Sequence, residues 1–302
     1  MDPALALSGL FVGMLVGLTG VGGGSLMTPL LILVFDVKPV LAVGTDLFYG
    51  AVTKTAGGYK HLRQRTVDVK LSWWMAAGSV PGAVTGVLTL ELLEHSLGED
   101  FDKTLLALVA GAVLFAGLAV AGRGLLGRRL GGGERESVPL HKRSRLGAVL
   151  VGAAVGVILG ATSVGSGALI AVALILIFRL TPHRVVGTDV FHAAILLWAA
   201  AIAHMFSSNV DWGLAGNLLL GSIPGIWIGS HASARMPQPA LRAALVVVLL
   251  AAGIALSTKA GWGRSLLAFV GCAAPSIALG LYLMNRRNRL PATVTEPASE
   301  RA

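Results

Sequence analysis

Gly44-Thr45-Asp46 returns 143 residues later as Gly187-Thr188-Asp189, and this recurrence decides how the rest of the chain is read. At the same offset, without a gap, Gly22 falls on Gly165, Gly24 on Gly167, Pro39 on Pro182 and Phe48 on Phe191. The register continues through His61 and His204, Asp68 and Asp211, Gly78-Ser79 and Gly221-Ser222, and Pro81-Gly82 and Pro224-Gly225. So many Gly, Pro, His and Asp kept in step mark a duplicated unit. The first copy takes residues 1–122 and the second 146–257. Between them, 123–145 carries Gly131-Gly132-Gly133 and seven Arg or Lys against two Glu, which reads as a flexible, basic, cytoplasmic linker.

What the unit is made of follows from composition. Hydrophobic residues make up 55% of the 302 and charged residues 13%, too little charge to cover a soluble domain of this length. The apolar residues lie in blocks such as Leu105–Ala121, Leu241–Ser257 and Leu266–Met284. Each is close to the ~20 residues a helix needs to cross the hydrocarbon. Strand-like alternation is missing, so helices rather than a barrel satisfy the backbone. The net charge of +9 sits in short loops between apolar blocks, as membrane topology expects, which argues against nucleic acid as a partner. A single cysteine, Cys272, excludes a disulfide framework and a cysteine-pair metal site. Met1-Asp2-Pro3-Ala4 lacks a cationic leader, so the first apolar stretch reads as part of the fold.

Loop charge then relates the two copies. The loop holding Lys60, Arg63, Arg65 and Lys70 is basic and reads as inside; the next, with Glu91, Glu94, Glu99, Asp100 and Asp102, reads as outside. In the second copy the counterpart of the basic loop is Ser207-Ser208-Asn209, while the counterpart of the acidic loop carries Arg235 and Arg242. The Lys/Arg bias has changed sides, so the repeats are expected to be inverted in the membrane. Lys259 and Arg264 fall outside in this arrangement, against the rule. Three full spans are expected per copy, at about 39–58, 70–90 and 104–122, and at 183–205, 212–231 and 240–257. The preceding stretches, Ala4–Phe35 and Leu146–Phe178, are broken by glycine into arms of ~15 residues, short for a span. The expected fold is an all-α polytopic membrane protein: two inverted repeats, each a broken, re-entrant hairpin plus three transmembrane helices. One extra C-terminal transmembrane helix is expected within 258–285, then a disordered cytoplasmic tail at 286–302, with the N-terminus outside.

The breaks read Leu18-Thr19-Gly20-Val21-Gly22-Gly23-Gly24-Ser25 and Ala161-Thr162-Ser163-Val164-Gly165-Ser166-Gly167. Glycine lets backbone leave the helix and a ligand approach it, and the N–H groups opening the next helix favour an anion. Matching interruptions in two halves are the sequence pointer to a transporter site, although small residues also serve helix packing. Thr19, Gly22, Gly23, Gly24 and Ser25, with Ser163, Gly165, Ser166 and Gly167, are therefore candidate substrate ligands. Thr45, Asp46, Thr188 and Asp189 are candidates too, with helix capping as the competing role. Lys54 and His192 interrupt apolar spans, where an ionisable residue is a functional candidate; Lys54 could instead snorkel to the basic loop. Tyr49 is the counterpart of His192 and a possible donor, whereas His61 and His204 stand at span ends, where interfacial packing is expected. No enzyme constellation appears, no cofactor is expected, and the glycine run lacks the Gly-Lys-Ser/Thr ending of a phosphate loop.

These duplicated breaks, the duplicated Gly-Thr-Asp, and Thr53-Lys54-Thr55-Ala56-Gly57-Gly58-Tyr59-Lys60-His61 followed by Thr66-Val67-Asp68 resemble the TauE/SafE sulfite exporters, or TSUP transporters. The resemblance covers nearly the whole chain outside the linker and tail. The second copy departs from the first, with Leu197 where the first has Lys54 and Ser166 where it has Gly23, so an anion site here is asymmetric. The resemblance implies a multi-pass carrier of the bacterial inner membrane, moving sulfite or a related organosulfur or organic anion outward. Its partners would be the lipid bilayer and a small anionic substrate, with coupling to protons open. A membrane scaffold or assembly protein without substrate, and an anion channel with flux that does not saturate, are the competing classes.

Overall fold

Proline and aspartate set where the long helices begin. In the computed structural model, which describes residues 3–19, 24–129, 134–233 and 238–262, α3 (Pro39–Arg63) and α8 (Pro182–Phe206) each open on proline, whose missing N–H costs nothing at a helix start. α4 (Val69–Leu97) is capped by Asp68, whose carboxylate accepts from Leu71 N at 3.1 Å. α9 (Trp212–Ser233) is capped likewise by Asp211, accepting from Leu214 N at 3.0 Å. The remaining helices are α1 (Pro3–Thr19), α2 (Gly24–Leu33), α5 (Phe101–Arg129), α6 (Lys142–Thr162), α7 (Leu169–Leu176) and α10 (Gln238–Lys259). Among the described residues the fold is all-helical, with one isolated β-bridge between Arg135 and Leu180.

The helices pair across the duplication. α1 packs on α9, α4 on α6, α3 on α8 and α5 on α10. Glycine makes the first two pairings possible. A Cβ on Gly9, Gly13 or Gly17 of α1 would fall on the carbonyls of Leu218, Ser222 and Ile226 in α9. A Cβ on Gly152, Gly156 or Gly160 of α6 would fall on those of Met75, Ser79 and Ala83 in α4. Every residue in the second set is 143 positions from its partner in the first. Small residues every fourth position let two backbones touch, the packing that replaces hydrophobic drive inside lipid.

α3 and α8 lie at the centre and run antiparallel, with Gly50 against Leu197 and Gly58 against Phe191 and Ala194. Trp198 Nε1 donates to Thr55 Oγ1 at 2.9 Å, joining two residues that occupy the same place in the duplication. Outside this pair the molecule displays large apolar side chains: Trp73 is 61% exposed, Trp227 67% and Val247 66%. Such a surface is stable against hydrocarbon and costly against water. By length and hydropathy Val69–Gly122, Lys142–Thr162 and Pro182–Phe206 can cross a membrane, and Pro3–Leu18 and Ala243–Lys259 are shorter apolar helices.

Three expectations change. The hairpin arms are unequal, 17 and 10 residues in α1 and α2, and 21 and 8 in α6 and α7. At 1.5 Å per residue α6 reaches roughly 31 Å, enough to cross, while α7 reaches only ~12 Å. The break lies well past the midpoint because the helix propagates through Gly152, Gly156 and Gly160, which α4 supports, and stops only at Ser163. The linker is also shorter than the glycine run suggests. α5 continues to Arg129 through good helix formers such as Leu125, Leu126 and Arg128.

After the linker's undescribed residues 130–133, the chain docks: Arg135 N donates to Arg179 O, Thr181 N to Arg135 O, and Val138 N to Asp68 Oδ2 at 2.9 Å. Glu136 accepts from Arg184 Nε at 3.1 Å, and that hydrogen bond holds its carboxyl below the usual range. Third, Lys259, against the rule by position, is tied to Ile32 O and Asp36, with Nζ 2.5 Å from Oδ1. The extra span expected at 258–285 and the tail at 286–302 lie outside the described residues beyond Trp262.

Candidate functional site

Helical period brings the polar residues of α3 and α8 onto buried faces. Asp46 and Tyr49 are three apart on α3, as Asp189 and His192 are on α8, so each pair shares a face. Asp46, Tyr49 and His192 are 0% exposed, Asp189 is buried, and Lys54 is 8% exposed. Eight residues separate Asp46 from Lys54, roughly 12 Å along the axis, so they belong to different levels of the bundle.

At the Lys54 level, the ammonium donates to the carbonyl of Ser166 in the second break. Asp189 of α8 lies close to it. His192 stands beside it, with Nε2 3.3 Å from Ser79 Oγ on α4. Lys54 therefore does not snorkel. The break itself runs from Ser163, in the left-handed conformation with φ 59°, to Ala168. Gly165 has φ +118°, a conformation L side chains rarely adopt, and a Cβ there would also meet Leu169 at 2.7 Å. Leu169 N already donates to Gly165 O at 3.1 Å, so part of the first turn of α7 is satisfied within the chain. Ser166 is buried, and Gly167 lies with it in the turn that precedes α7.

At the Asp46 level the neighbours are hydroxyls. Asp46 Oδ2 accepts from Thr28 Oγ1 of α2 at 2.5 Å and from Ser163 Oγ at 3.0 Å. Tyr49 lies close to Asp46 and beside Ser222 of α9. Asp46 Oδ1, Tyr49 Oη and Ser222 Oγ are buried without a hydrogen-bond partner among the described residues.

The remaining candidates fall apart from these two clusters. Thr45 Oγ1 accepts from Asp211 N at 3.0 Å and Thr188 Oγ1 from Asp68 N at 2.9 Å, so both hydroxyls brace the loops entering α9 and α4. Ser25 is buried in the first turn of α2. Thr19 ends α1 and Gly24 begins α2, while Gly22 and Gly23 lie outside the described residues. His204 lies in the last turn of α8, at the end of the span as expected, and is packed there at 0% exposure with Nε2 2.9 Å from Gly160 O.

Sequence reasoning missed Thr28, Ser79 and Ser222 as site residues. The two serines carried a signal, since Gly78-Ser79 and Gly221-Ser222 are in the repeat register; Thr28 carried none, because its counterpart is Ala171. A groove of 230 Å³ between α5 and α7, lined by residues such as Phe115, Leu118 and Ile175, is apolar and offers an anion no donor.

Comparison with known proteins bears on what this buried polar centre serves. A "Probable membrane transporter protein YjnA" of Bacillus subtilis is 42% identical over 258 residues, covering 85% of this chain and 100% of that protein. "Probable membrane transporter protein YdhB" of the same organism is 26% identical, covering 81% of this chain and 96% of the other. A "Probable membrane transporter protein" of Xylella fastidiosa is 29% identical over 76% of this chain and 83% of its own length. No solved structure matches the chain. The family description "Sulfite exporter TauE/SafE" matches residues 5–256, which takes in both copies of the duplication and every buried polar residue described above. The chain is a membrane transporter of the TauE/SafE type and belongs to the TauE/SafE sulfite exporter family.

Proposed function

We propose that this protein is a secondary transporter of the bacterial inner membrane that exports a small sulfur-containing anion, such as sulfite or an organosulfonate. The observation that carries the reading is Lys54, a buried ammonium resting on the Ser166 carbonyl of a helix break, beside His192 and Ser79. An ammonium held in an apolar bundle is costly unless compensated, so it is retained for a function. Asp189 and the carbonyl compensate it here; an arriving anion can take over that role, with the His192 ring and the Ser79 hydroxyl as further donors. Sulfur chemistry and outward direction come from the family's description, and the relatives are named only as transporters.

The protein in liposomes should move at least one member of a panel of sulfite, thiosulfate, short organosulfonates and short carboxylates, with saturating flux. Flux that rises without limit as concentration rises would indicate a channel; no flux on the whole panel would leave a scaffold.

We further read the two copies as inverted in the membrane around a site near the midplane. Support comes from the swapped loop charges, and from α1 packing on α9 as α6 packs on α4. With Cys272 replaced by serine, His95→Cys at the end of α4 should label from outside and His231→Cys at the end of α9 from inside. Both labelling from one side would overturn the inversion, since the two positions close equivalent helices.

A further inference from the structure

Asp46 and Asp189 hold equivalent places in the two copies and have opposite neighbours. Asp189 has Lys54 near it. Around Asp46 stand neutral groups: the hydroxyl and backbone of Thr28 from α2, Ser163 from the break, Tyr49 from its own helix and, through Tyr49, Ser222 of α9. On the antiparallel neighbour α8 the titratable side chain closest in level is His204, whose Nε2 is spent on Gly160 O. Asp211 of the α9 cap is spent on Leu214 N, and the buried face of α5 is apolar, as at Leu105, Val109 and Val113. Among the described residues no positive charge is set against Asp46.

A carboxylate at 0% exposure with no cation is expensive, and such a group neutralises by binding a proton. The Thr28 and Ser163 hydroxyls both donate to Oδ2, bonds an ionised carboxylate accepts equally well, and leave Oδ1 as the oxygen open to a proton. The Tyr49 and Ser222 hydroxyls lie beside one another, with Tyr49 close to Asp46.

We propose that Asp46 carries the coupling proton of transport: its carboxyl is neutral in this conformation, with the proton on Oδ1, and releases it when the surrounding helices part. The O–H bond at Oδ1 forms by taking a proton from hydronium at one face, leaving water, and breaks by handing it to water at the other. No electrons move and no other reactant is consumed. The duplication has then divided two duties between equivalent aspartates, one serving Lys54 and the anion, the other the proton. This rests on the transport reading above and adds what drives it.

The test uses full-length protein in liposomes, with flux measured at equal pH and under a pH gradient, and infrared spectra of the same preparations. In the natural protein a pH gradient should change flux severalfold, and a protonated-carboxyl band should appear near neutral pH. In Asp46→Asn the ratio of gradient-driven to equal-pH flux should fall to one and the band should vanish. Asp46→Glu should restore both in part, and decides the matter if the asparagine variant does not fold. An unchanged ratio in Asp46→Asn overturns the assignment, as does drive by a sodium gradient in place of pH. Loss of all flux by folded Asp46→Asn puts Asp46 in the anion's own path and also overturns it. If the natural protein moves no anion on the panel, the transport reading fails, and the band alone decides whether Asp46 holds a proton.

Discussion

Lys54→Ala is expected to lower anion transport at least tenfold at subsaturating substrate, while the purified protein stays monodisperse in detergent. The size follows from where the ammonium sits. Lys54 is 8% exposed and donates to a backbone carbonyl inside the bundle. Removing one member of a buried charged set costs about 3–5 kcal/mol, and each ~1.4 kcal/mol is tenfold in affinity. Asp189, left without its positive neighbour, would add repulsion toward an incoming anion. Lys54→Arg keeps the charge and should keep more transport than alanine, although the guanidinium cannot reproduce the single contact to Ser166 O. Normal flux by folded Lys54→Ala would show that the ammonium braces the break and does not meet substrate.

A comparable loss, of folded protein rather than of flux, is expected from a single side chain added between α4 and α6. At Gly152 a Cβ would land on the carbonyl oxygen of Met75, and at Gly78 on that of Val149. The obstruction is backbone, which cannot rotate away as a flexible side chain can. The cost should therefore exceed the about 1–3 kcal/mol usual for overpacking. Gly152→Val should give little monodisperse protein and a clearly lower melting temperature. Gly147, five residues earlier on the same helix, has nothing within 4 Å of such a Cβ. Gly147→Ala should be neutral or stabilising, since alanine outranks glycine in a helix by about 0.5–1 kcal/mol. Equal stability of Gly152→Ala and Gly147→Ala would mean that α4 and α6 do not approach as described.

Much of this protein was legible before any coordinates. Composition reports on solvent, so the lipid environment followed from long apolar blocks and sparse charge. Helices form over the spans expected at about 39–58, 70–90, 183–205 and 212–231. The duplication and the resemblance it carries pointed to the family that the comparisons show. Lys54 and His192 stood out as candidates because a polar group in an apolar run has to be explained by a partner.

Only the tertiary structure decided who those partners are. Nothing local in α1 says that its glycines meet α9, in the other copy, rather than a helix of their own. Thr45 and Asp46 are neighbours in sequence, yet one hydroxyl braces Asp211 N while the adjacent carboxyl turns to Thr28 and Ser163. Asp46 and Asp189 read identically in the sequence and stand in opposite electrostatic surroundings. The sequence by itself determined the medium, the helices and the duplication, because these depend on local composition and short-range sterics. Charge pairing and burial depend on residues distant in the sequence, most of them more than a hundred positions away, and the packing of helices across the two copies brings those together.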